Sequence, residues 1–143
     1  MPAPAETPLR LLAEDQDDLT TISATLQDAV AKLGDVVFER GARQLTLVFN
    51  RYRWERHGGE RVRCALQLGS VLSVQSRNLR RGAKDAVVEL LAVGFEPTEE
   101  PGGVVTFSFA GGGDLRATVE CLDVALADVS APWPTSRRPV HDA

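Results

Sequence analysis

The 143-residue chain is poor in the residues that metal and redox chemistry use. It has two cysteines, two histidines, one methionine and one tyrosine. Two thiols are too few for a disulfide scaffold. Cys64, Cys121, His57 and His141 form no CxxC, HxxxH or HxH spacing, and a structural zinc site uses four such ligands. No metal and no cofactor is therefore expected. No apolar run approaches the roughly 18 residues of a membrane helix. The opening MPAPAETPLRLL has neither the basic nor the long apolar region of a secretory leader. These absences lead us to expect a cytoplasmic protein with free thiols and no membrane partner. Catalytic signatures are also missing. There is no GxSxG elbow, and Gly111-Gly112-Gly113 is followed by Asp114 rather than by Lys-Ser/Thr, so it reads as a turn and not as a phosphate loop. The carboxylate groups at Asp15, Asp17 and Asp18 and at Glu99 and Glu100 are explained by helix capping and by a solvated turn.

What is present is an ordinary globular composition, 43% apolar and 25% charged, in a length that suits one domain. The net charge of −4 hides a segregated pattern. Residues 1–35 carry 2 basic and 7 acidic side chains, residues 36–84 carry 11 and 3, and residues 85–143 carry 3 and 10. A basic middle third lies between two acidic flanks. Either the fold neutralises it internally, or it presents a basic face to an anionic partner.

Residues 1–8 read as a flexible N-terminus, 9–130 as a single domain and 131–143 as a Pro-rich tail. Leu9, Leu11 and Leu12 suit a short strand. Leu19, Ile22, Leu26, Ala29, Val30 and Leu33 recur at helical spacing, which predicts a helix from Asp15 to Leu33 with Asp15 as N-cap and Gly34 as C-cap. Period-two alternation then dominates. Leu45, Leu47 and Phe49 alternate with polar residues, and past Asn50 the apolar phase flips to Tyr52 and Trp54, leaving Arg51 and Arg53 on the Phe49 face. Residues 61–76 read as one long strand bent at Gly69-Ser70. Strands follow near 87–96, at 105–109 and at 115–121; over 84–92 a helix competes with the strand. Residues 122–129 suit either a helical turn or a bulged strand, and Trp133 is a candidate anchor for the tail. The expected fold is α+β: one N-terminal amphipathic helix on a strongly bent, mainly antiparallel sheet or partial barrel of about six to seven strands.

Several separated motifs agree on a family. Leu26-Gln27-Asp28-Ala29-Val30, Asn50-Arg51-Tyr52-Arg53-Trp54-Glu55, Arg61-Val62-Arg63, Leu90 to Pro97, Phe109 to Gly113 and Val119-Glu120-Cys121-Leu122 together resemble the bacterial, mostly alphaproteobacterial family catalogued as domain of unknown function 2948. The resemblance runs from about Leu9 to Trp133. It implies a small cytoplasmic bacterial protein and carries over no activity, catalytic residue or cofactor.

One constellation stands above background. Arg51, Arg53, Trp54, Arg56, Arg61 and Arg63 interleave arginine with aromatic residues, and Arg77, Arg80, Arg81 and Lys84 extend the basic character. Guanidiniums beside exposed rings are what a sheet uses to hold an acidic protein surface or a single-stranded RNA or DNA. The competing reading makes Tyr52 and Trp54 core and the arginines salt-bridged strand edges. From these residues we expect a non-enzymatic binding or adaptor module with an acidic protein partner. Single-stranded nucleic acid binding by the same face is the alternative, a small-molecule enzyme without a recognisable motif a third, and self-association of basic against acidic blocks a fourth.

Overall fold

The alternation of apolar and polar side chains is realised as an antiparallel sheet that carries most of the molecule. The structure is a computed structural model and describes residues 8–55, 59–80 and 82–135. Eleven strands occur among them: β1 (Arg10–Ala13), β2 (Val30–Lys32), β3 (Val36–Glu39), β4 (Gln44–Tyr52), β5 (Glu60–Leu68), β6 (Val71–Arg77), β7 (Val87–Pro97), β8 (Gly103–Phe109), β9 (Asp114–Val119), β10 (Val124–Asp128) and β11 (Trp133–Pro134). The order across the sheet is β1-β10-β5-β4-β2-β7-β8-β9-β6, with β3 beside β4 and β11 beside β5. The sheet does not close.

This corrects the expected fold class. Among the described residues eleven strands replace six or seven, and the helical part shrinks to one helix, α1 (Gln16–Thr25), beside a single 3-10 turn at Leu33–Asp35. Of the short strands, β1 is the one expected around residues 9–12 and β10 is one of the two alternatives for 122–129; these and β2, β3 and β11 have two to five residues each. Such pieces are too short to declare a period, and only their neighbours' hydrogen-bonding edges make them strands.

The helix starts where its caps predict. The Asp15 carboxylate accepts the Asp18 N–H at 2.8 Å, with Asp17 and Asp18 in the first turn. It ends eight residues early. Asp28 takes a left-handed φ of 64°, a conformation that aspartate tolerates, and its N–H donates to the Leu90 carbonyl. Val30–Lys32 then runs extended between β4 and β7. The apolar residues at 29–33 therefore serve sheet packing, not the helical face.

The single bent strand expected over 61–76 is instead two strands, β5 and β6, interrupted at Gly69-Ser70. Ser70 has φ 56°. β5 pairs with β4 and β10, whereas β6 pairs with β9, so the two segments are successive parts of one path and not a hairpin. Residues 87–97 and 124–128 resolve as strands.

The core follows the inward phase. Leu45, Leu47 and Phe49 of β4 stand opposite Leu68, Leu66 and Cys64 of β5, and Leu66 and Leu68 meet Leu126 and Val124 of β10. Val105 and Phe107 of β8 face Ala117 and Leu115 of β9. Leu19 and Ile22 of α1 are buried in the same core. The helix is tied to β7 by the Val93 N–H donating to Ser23 Oγ at 2.9 Å and by Gln16 Nε2 donating to the Phe95 carbonyl at 2.8 Å.

Candidate binding site

Phase determines where Arg51 goes. It continues the inward side of β4 after Leu45, Leu47 and Phe49, and its side chain is fully buried. A guanidinium in that position needs carboxylates, because a lone buried charge is strongly disfavoured. Two are supplied, each in fork geometry. Nε and Nη2 donate to the Asp128 oxygens at 3.0 and 2.9 Å, and Nη1 and Nη2 donate to the Glu55 oxygens at 2.9 and 2.8 Å. Asp128 arrives from β10, where it stands opposite Cys64. Burial works against the Arg51 charge, but the hydrogen bonds and proximity of Glu55 and Asp128 outweigh it and raise its pKa. The same guanidinium holds the Glu55 carboxyl below its ordinary range. Burial pushes the neighbouring Cys64 thiol up to about 12.

Arg53 is also largely buried and pairs with Glu60 at 3.2 Å. Tyr52 is buried and Trp54 half-buried. Their rings lie 4.7 Å apart at 59°, and the Trp54 indole N–H donates to the Gln27 carbonyl at 3.4 Å. The interleaved arginines and aromatics at 51–54 are thus brought together, but as an internally neutralised cluster. The other sequence-nominated residues are spread out. Arg61 donates to the Asn50 carbonyl at 3.3 Å, and its strand position pairs with Trp133 of β11. Arg63 is half-exposed, 3.5 Å from Asp35. Arg77 and Arg80 are exposed at and beyond the far end of β6. Arg56 and Arg81 lie outside the described residues.

A broad open cleft of about 930 Å³ borders the Arg51 cluster, lined by Leu9, Arg53, Glu55, Val62, Asp128 and the 129–132 segment. Its charged walls already pair, Glu55 and Asp128 with Arg51 and Arg53 with Glu60. A different arrangement occurs where the sheet stays open. Among the described residues β3 pairs only with β4 and β6 only with β9, and the two contribute to one apolar slot of about 210 Å³. Val36, Phe38, Leu45, Val74, Leu79, Phe109 and Leu115 line it, with Arg40 at its edge. The Arg40 guanidinium lies 6.0 Å above the Phe38 ring and makes no ion pair among the described residues. On the outer face of β6 and β9, Arg77 and Arg116 share the single carboxylate of Asp114 at 2.9 and 3.6 Å, which leaves a net positive charge there.

A family model described as Protein of unknown function (DUF2948) matches residues 9–141. The chain belongs to this family. No curated protein and no solved structure matches the DUF2948 chain. Sequence reasoning missed Arg40, Phe38, Arg116 and Asp128. Glu55 alone had a local signal, four residues after Arg51 and beside it in the same motif. Asp128 is 77 residues from Arg51 and reaches it only through the pairing of β10 with β5.

Proposed function

We propose that the protein is a non-catalytic binding module that holds an acidic protein partner on the side of the molecule where β3 and β6 face each other. The observation that carries this reading is the apolar slot with Arg40 in its lining, together with Arg77 and Arg116 sharing one carboxylate on the opposite face of β6 and Arg80 exposed beyond it. Apolar lining supplies contact area, and unneutralised guanidiniums select an anion and speed its association. The basic middle third thus divides into two uses. Arg51 and Arg53 are consumed inside the fold, while the cations near β6 remain for a partner. Stacking of nucleobases has less support, because Tyr52 is buried and Trp54 packs on it.

The test is fluorescence anisotropy with a labelled twenty-residue polyglutamate and a labelled twenty-nucleotide single-stranded RNA, at about 50 and 200 mM salt, where charge-driven binding weakens steeply. Polyglutamate is expected to bind and to lose affinity in the Arg40→Glu/Arg80→Glu double variant. Tighter binding of RNA than of polyglutamate, or binding indifferent to both substitutions, would overturn this assignment.

A further inference from the structure

We infer that the acidic partner is bound as an extended segment, added as a strand along the free edge of β6, with alternate apolar side chains entering the slot and alternate carboxylates lying on the outer face. This deepens the binding-module reading and rests on it.

Three features converge. The first is the backbone. Among the described residues β6 is the last strand of the sheet and β9 is its only strand partner, so the other edge presents main-chain N–H and C=O groups without a ladder. The Val71 N–H is already taken by the Arg43 carbonyl at 2.8 Å, which anchors the start of the edge and leaves the stretch toward Arg77 to receive a strand. An exposed edge of this kind is a template for strand addition.

The second is the alternation of β6. Val74 and Ser76 line the slot, while Gln75 and Arg77 are exposed and stand opposite Arg116 and Asp114 of β9. A strand laid beside β6 shares its pleat, so side chains two residues apart fall on one face. One set meets Phe38 and Leu79 in the slot. The other set emerges beside Arg77.

The third is charge. Two guanidiniums on the outer face share one carboxylate, and Arg40 has none among the described residues. The segment that fits both faces alternates apolar and acidic residues.

The probe is a heptapeptide alternating glutamate and valine with blocked ends, compared with a block-ordered peptide of identical composition. Binding is read by anisotropy, and the site by amide hydrogen exchange of the full chain. The alternating peptide is expected to bind at least about tenfold more tightly than the block peptide and to slow exchange in the 72–77 segment. Arg77→Glu, on the surface, and Phe38→Asp, in the slot, are each expected to weaken it by a similar factor; the first keeps the test valid if the second perturbs folding. Equal binding of the two peptides, with polyglutamate still held through Arg40 and Arg80, would overturn the strand-addition inference alone. Failure of polyglutamate and both peptides to bind would overturn the binding-module reading as well. Decanoate occupying the slot while the peptide leaves 72–77 unprotected would assign the slot to a small amphiphile and also overturn the inference.

Discussion

Arg51 shows how one side chain can absorb a charge pattern that looks functional. It lies on the Phe49 side of β4, and the two carboxylates that hold it come from four residues and from 77 residues away. Removing it strands Asp128, whose side chain is 6% exposed, and we expect Arg51→Ala to cost about 3–5 kcal/mol in urea unfolding. Arg63→Ala, at a half-exposed site, should stay within about 0.5 kcal/mol. Comparable losses for the two variants would refute the structural role of Arg51. The cluster also sets an acid response. Glu55 has a lowered pKa in the folded state, so its contribution is present above the unfolded carboxyl value and is lost as pH falls through the lower folded value. Glu55→Gln should therefore flatten the stability profile on the acid side of pH 4.5, the ordinary value for this carboxyl, as followed by urea midpoints across pH. Thiol reactivity separates the cysteines. Cys64 is buried with its pKa pushed up to about 12, whereas Cys121 is partly exposed. A disulfide reagent near neutral pH should modify Cys121 in the native protein and Cys64 only on unfolding.

At the scale of elements, local signals worked where they were self-contained. Asp15 caps α1 as its position predicts, and Asp15→Ala should lower stability by about 1 kcal/mol in the same unfolding assay. The far end of the helix obeyed a different force. Residues 29–33 have apolar spacing that suits a helix, but the edges of β4 and β7 recruit Val30–Lys32 as a bridging strand. Backbone groups buried between two strands must be paired, and that requirement overrides a modest helical preference. Gly103 marks another tertiary demand. A side chain there would run into the Glu96 carbonyl and the Phe95 ring across the β7–β8 pair, so its lack of a Cβ is what allows those strands to approach.

For the whole molecule, the path from β5 into β6 matters most. These successive strands pair with β4 and β10 on one side of the bend and with β9 on the other. β7 makes the second link, pairing with β2 at its start and with β8 beyond. Two strand paths tie the halves of the sheet together, so unfolding should be one transition. Tryptophan emission, which reports on Trp54 and Trp133, and far-ultraviolet circular dichroism should give coincident urea curves. Separated midpoints would show that the halves melt independently. The same layout leaves β3 and β6 without strand partners among the described residues on the sides that border the slot, the place to which the docking proposal assigns its partner.

Local sequence was enough for the strand phases of β4, β5, β8 and β9, the start of α1, the absence of a hairpin at Gly69-Ser70 and the family. Each of these rests on neighbours within a few residues: side-chain period, a capping carboxylate, a glycine, a contiguous motif. It also showed that Arg51 shares a face with Phe49. What that meant came from long-range packing, because the answer depended on Asp128 arriving through β10. The same packing likewise decided that short segments such as 30–32 and 124–128 are strands, since a strand of three to five residues exists only beside a partner's edge. The slot between β3 and β6 had no local signature at all. Phe38, Arg40, Val74 and Leu79 become one site only when the sheet curls and stops short of closing, which is a property of the chain's path through space and not of any window along it.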